Sequence, residues 1–183
     1  MPTLYVFKPL VFKNKKKQEA YNRLVRNVKK TLPIAKEVNR AIIETYEYLQ
    51  TLPDVPMVMT GDFNQAKTNS SEEIYAMYKN VLGISTFKSS TGEKITGNFS
   101  DARVEAKDTV SPDLWASMTS SWQEGDKYNP AKKPIDYVFY TTEDFDAMVY
   151  RNIHYHRDGI YMSDHLPQYC ELHVKVPAEQ AAE

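Results

Sequence analysis

The stretch Pro56-Met57-Val58-Met59-Thr60-Gly61-Asp62-Phe63-Asn64 carries a short apolar run straight into a turn of glycine, acid and amide. Residues 56–60 read as a buried strand, because a brief apolar run bounded by turn formers suits a strand covered on both faces. The end of that strand puts a carboxylate and an amide two residues apart, on one side of an extended chain. Asp62 can there bind a hard cation or take a proton, and Asn64 can hold a phosphoryl oxygen without adding negative charge. Gly, Asp and Asn are also ordinary turn residues, so alone the segment says no more than turn.

Upstream, Ala20, Leu24, Val25, Val28 and Leu32 recur at helical spacing over 16–32. Pro33 suits the first turn of a second helix, striped by Ile34, Val38, Ala41, Ile42, Leu49 and Leu52 and stopped by Pro53. Residues 3–12 read as extended, with Pro9 barring a central place in a sheet. Downstream, Ser70 and Glu73 stand at capping-box spacing before Ile74, Met77, Tyr78, Val81 and Leu82, a helix that Gly83 closes. Residues 84–133 are polar and aperiodic, which predicts a long loop that carries function or holds elements too short to read. Arg103, Trp115, Trp122 and Tyr128 are its candidates for contact with a substrate. Strands are expected at 134–141, 147–154 and 169–176. In the last, Cys170, Leu172, Val174 and Val176 alternate with Tyr169, Glu171, His173 and Lys175. Strands interspersed with amphipathic helices predict a layered α/β domain.

Two further segments carry chemistry. In Ile135-Asp136-Tyr137-Val138-Phe139 an acid sits in an apolar strand and needs a partner to offset its desolvation. In Ser163-Asp164-His165-Leu166-Pro167, Asp164 and His165 are adjacent and point to opposite sides of an extended chain. His165 therefore needs another acid to fix its tautomer, and Asp136 is the candidate. His154 and His156 share a strand face at most, and without a third ligand they read as surface histidines.

The order GDFN, PIDYVF, SDHLP resembles the endonuclease/exonuclease/phosphatase superfamily, the deoxyribonuclease I-like fold, over about residues 31–176. The resemblance implies part of a four-layer α/β sandwich, and hydrolysis of a phosphate ester with Mg²⁺ or Mn²⁺. It implies that Asp62 orients or deprotonates the attacking water and that Asn64 positions water and phosphate. Asp164 then resembles the late metal-site carboxylate, His165 the histidine that holds the scissile phosphate, and Asp136 the acid that orients it. The family's early asparagine, its metal-binding glutamate and its threonine-histidine segment have no convincing counterpart. Gln18-Glu19 imitates the glutamate motif, but in a lysine-rich helical stretch rather than at a strand end. The expected organisation is a basic leader over 1–30, the second half of the family domain over 31–176 with its first half missing, and a tail over 177–183. Two other functions compete with phosphoester hydrolysis. One is a non-catalytic interaction module on the same fold. The other is nucleic-acid binding by the basic arm.

Composition bounds these readings. The 183 residues are 42% hydrophobic, enough for one domain with a core and against wholesale disorder. No apolar run approaches the ~18 residues of a membrane span. A single cysteine, Cys170, excludes an internal disulfide and a multi-cysteine zinc site. With no signal peptide in view, a reducing compartment, cytoplasmic or nuclear, is expected. Residues 1–30 hold nine Lys or Arg against one acid, Glu19, whereas the rest holds fourteen against twenty-three. Such a basic arm suits contact with a polyanion, though a solvated helix face is the commoner explanation. The expected strands make roughly one sheet. With helices on one face and little but residues 3–12 for the other, the chain is expected to self-associate, to bind a complementary half-domain or to be only marginally stable by itself.

Overall fold

The computed structural model describes residues 14–65, 76–109, 134–153, 155–158 and 160–176. The expected extended segment 3–12, the capping box Ser70–Glu73, His154, Trp115, Trp122, Tyr128 and the 177–183 tail lie outside the described residues.

The described residues begin with one helix, α1 (Lys15–Leu49), where two were expected. Asn14 caps it, its side chain accepting from the Lys17 amide at 3.2 Å. Pro33 stands inside the helix instead of opening a new one. An interior proline costs about 3 kcal/mol, and the stripe that follows offsets it. Ala35, Ile42 and Tyr46 are buried, with Val38 and Leu49 partly covered beside them, and a buried side chain of this kind contributes ~1.5–3 kcal/mol. Among the described side chains of 14–34 none is buried.

The central strand is β6 (Asp136–Thr141), flanked by β1 (Val58–Asp62) and β4 (Phe99–Asp101), both antiparallel to it. Strand periodicity sends its side chains alternately to two cores. Tyr137 and Phe139 join Ile42 and Tyr46 of α1, Met77, Tyr78 and Val81 of α2 (Met77–Val81), and Phe99. Val138 and Tyr140 join Ala147 and Tyr150 of β7 (Phe145–Asn152) and Ala102 of α3 (Ala102–Glu105). Strand β7 belongs to a second sheet, between antiparallel β10 (Gln168–Val174) and parallel β5 (Asp108–Thr109). The layers are helix, sheet, sheet, so this is a mixed α/β fold. The single uncovered sheet expected above is corrected: 145–152 and 168–174 pair with each other rather than with β6, and supply its second layer.

The expected loop from 84 is structured as far as 109. Strands β2 (Thr86–Lys88) and β3 (Lys94–Thr96) form a hairpin, followed by β4, α3 and β5. These strands are two or three residues long, too short to show a period in sequence. Here Gly97 lets two backbones meet. A Cβ on it would lie 2.1 Å from the Asn80 carbonyl oxygen and 2.2 Å from that of Val81, at the end of α2. A last small ribbon pairs β8 (His156–Arg157) with β9 (Ile160–Tyr161). Among the described residues no helix is long and apolar enough to cross a membrane.

Candidate active site

The antiparallel register of β1 and β6 sets Asp62 directly opposite Asp136. Like charges so placed repel, and two features relieve them. At the end of β1, Asn64 takes a left-handed backbone (φ 50°) that asparagine tolerates. Its amide N–H donates to Asp62 Oδ1 at 2.7 Å and its side-chain amide donates to Oδ2 at 3.1 Å. Between the carboxylates stands His165. Its Nδ1 is 3.0 Å from both Asp136 oxygens, and its Nε2 is 3.9 Å from Asp62 Oδ2. The first contact is a hydrogen bond; the second is too long for one and is an electrostatic approach of ring and carboxylate.

Burial alone would lower the His165 pKa. The hydrogen bond and charge of Asp136, then the charges of Asp62 and Asp164, overcome this and raise it above 6.5. The imidazole thus leans toward its charged form, held from behind by Asp136 and facing Asp62 in front. The Ser163 hydroxyl fixes the approach of the chain by accepting from the His165 amide at 3.1 Å.

Asp136 is itself anchored through its backbone. Its carbonyl accepts from Arg103 Nη2 at 2.8 Å and from Gln168 Nε2 at 3.1 Å. Arg103 was expected to reach a substrate from a loop. It is instead 2% exposed, in α3, with its guanidinium carbon 5.5 Å from the Tyr137 ring centroid and 5.2 Å from that of Tyr150. Arg103 Nη2 donates to the Tyr150 hydroxyl at 2.8 Å, which donates on to Asn152 Oδ1 at 3.0 Å. Burial pushes the Tyr150 pKa up to about 12 against the pull of Arg103, so this hydroxyl keeps its proton. On the other side, buried Gln65 ties the turn after Asp62 to α1, donating to the Ala35 carbonyl at 3.2 Å. Its backbone carbonyl accepts from the Tyr137 hydroxyl at 3.0 Å. Tyr150 and Asn152 escaped the sequence reading. Their signal was two polar groups at alternate positions of one strand.

Asp62, Asp136 and His165 offer ligand atoms all within 4.8 Å of one another, and Asp164 is not in that group. An imidazole between two carboxylates shares protons, whereas Mg²⁺ and its like take oxygens. With Asp136 held on His165 and Asp62 on Asn64, the trio does not make a closed cation cage. One imidazole and two carboxylates, each already engaged, fit a hard cation poorly by themselves. Glu19 is exposed on the first half of α1 and is not in the group. The Cys170 thiol, half-buried, is pushed up to about 11 chiefly by burial, which makes it a poor nucleophile.

A family model described as a domain of unknown function (DUF4294) matches residues 1–57. No curated protein matches the chain in sequence. Solved structures similar to it include a mannosyl-6-phosphatase of Bacteroides thetaiotaomicron, 18% identical with a TM-score of 0.48, the likeness covering 75% of this chain and 45% of that one. Another is an endonuclease/exonuclease/phosphatase from Bacteroides vulgatus, at 17% identity and 0.48, covering 76% and 45%. A third is a functionally unknown conserved protein from Enterococcus faecalis, at 18% and 0.45, covering 66% and 37%. The likeness takes in less than half of each of these proteins.

Proposed function

We propose that residues 31–176 are the second half of an endonuclease/exonuclease/phosphatase domain, and that the chain carries part of a site for metal-dependent hydrolysis of a phosphate ester. The helix–sheet–sheet stack is then three of the four layers of that sandwich. The observation that carries the reading is His165, bonded through Nδ1 to Asp136 and with Nε2 facing Asp62 across 3.9 Å. In this reading the Nε2–H faces a phosphoryl oxygen, and the positive charge that Asp136 favours on the ring stabilises the charge developing there. Asp62, fixed by Asn64, orients water and accepts its proton. Asp164 supplies a carboxylate for Mg²⁺ or Mn²⁺, an ion that keeps several waters and needs only one or two such ligands. When bound, the ion polarises the phosphoryl group and acidifies water.

The chemistry fits phosphodiesters and phosphomonoesters alike, nucleic acid among them. With Glu19 on an exposed helix turn and away from the trio, the site is a carboxylate short, and the chain by itself is expected to turn over slowly or not at all. That shortage favours a second reading, a non-catalytic interaction module on the same fold. The exposed Lys15, Lys16, Lys17, Arg23 and Arg26 keep nucleic-acid binding by the arm as its variant.

Hydrolysis of bis(p-nitrophenyl) phosphate with Mg²⁺ or Mn²⁺ tests the proposal. The expected result is turnover that is slow at most and metal-dependent where seen, and that His165→Ala reduces by about 10²-fold or more. Turnover indifferent to metal and to His165→Ala overturns it. Salt-sensitive nucleic-acid binding that survives loss of Asp62 and His165 selects the arm instead.

A further inference from the structure

Tyr161 of β9, the chain just before β8 and the chain through His165 line an open cavity of about 230 Å³. Its walls are Ile153, Tyr155, Tyr161, Met162 and Leu166, with His165 as one edge. Among the described residues, no charged side chain other than His165 lines it. Ser163 also lines it, its hydroxyl accepting from the His165 amide. Three of these residues are costly where they stand. Met162 is 76% exposed, Tyr155 57% and Ile153 43%. Apolar side chains gathered in the open around a cavity mark a place where something binds.

We propose that this cavity is a subsite for an aromatic group esterified to the phosphate that faces His165, so that the preferred ligands are aryl or nucleobase-bearing phosphates rather than sugar phosphates. The inference rests on the phosphate-ester reading and narrows it. Three features choose the occupant. A polyol would find almost no hydrogen-bond partner in these walls and would lose its hydration uncompensated. Two tyrosine rings and a thioether suit a flat ring, through stacking and sulfur contacts. The volume suffices, since an apolar cavity of about 150 Å³ takes up benzene. His165 belongs to both the cavity edge and the Asp62–Asp136 trio. A ligand can therefore place its ring in the cavity and its phosphate at the imidazole at once.

The test is NMR-monitored titration of the full chain with phenylphosphonate and with methylphosphonate, following the His165 imidazole and the Met162 methyl. Phenylphosphonate is expected to bind about tenfold tighter, the scale of one ring stacked on aromatic side chains, and to move both signals. Tyr155→Ala and Met162→Ala, at exposed positions, are expected to remove that preference while methylphosphonate binding stays unchanged. Equal affinity for the two phosphonates, or a preference that survives both substitutions, overturns the subsite and leaves the phosphate reading standing. Failure of both phosphonates to move His165 overturns that reading and the subsite with it.

Discussion

At the scale of single residues, the site rests on one imidazole between two opposed carboxylates. The pKa of His165 is raised, so its protonation contributes stability that is full below 6.5 and is lost as pH rises through the folded value. Asp136→Asn removes the main favourable cause and is expected to bring the His165 pKa down, read from its imidazole resonances. The same substitution should flatten the fall in urea midpoint above pH 6.5. Arg103→Met keeps the buried stem but strips a donor from the Asp136 carbonyl and from Tyr150. It is expected to cost ~1–3 kcal/mol in a denaturant melt, with an unchanged midpoint as the contrary result. The His165–Asp136 contact was legible because neighbours on an extended chain cannot share a face, which removed Asp164 and left Asp136. Arg103 was not legible. A lone arginine in a polar stretch is ordinarily solvated, and only the fold brings the Tyr137 and Tyr150 rings against it.

Among the elements, β1, β6, β7 and β10 were readable within a few residues, β1 and β6 as short apolar runs and β10 by its alternation. The burial expected of β1 is corrected: it lies at the end of its sheet and is exposed at four of its five positions, because only β6 is covered on both faces. The break expected at Pro33 did not occur. The rule that proline ends a helix is local, and the stripe of Ala35, Ile42 and Tyr46 outweighs it. Pro33→Ala is accordingly expected to stabilise the chain, by at most about 3 kcal/mol, and a lower thermal midpoint would contradict that. The short strands from 86 to 109 were hidden by length alone. Their placement depends on the close approach at Gly97, so Gly97→Ala is expected to destabilise by ~1–3 kcal/mol through overpacking against the end of α2. A neutral result would mean that this backbone contact yields easily.

For the whole molecule, the main difference from expectation is the second sheet. Pairing of strands far apart in sequence leaves no local trace, and β7 and β10 serve equally well, by pattern, in one sheet or in two. Since β6 is covered on both faces, the case for self-association no longer rests on a bare sheet. It rests on Tyr169, Val174 and Val176 of the last segment, all about half exposed or more. On that ground sedimentation velocity is expected to show concentration-dependent association, and a single monomer boundary at every concentration would contradict it. The central claim is that His165 faces a phosphate. Titrating inorganic phosphate against the His165 imidazole resonances of the wild-type chain and of Asp136→Asn tests it most directly. The account predicts a saturable shift and a further rise of the His165 pKa in the wild type, as a bound anion favours the charged ring, with both weakened in Asp136→Asn. A His165 signal that phosphate leaves unmoved would contradict the account.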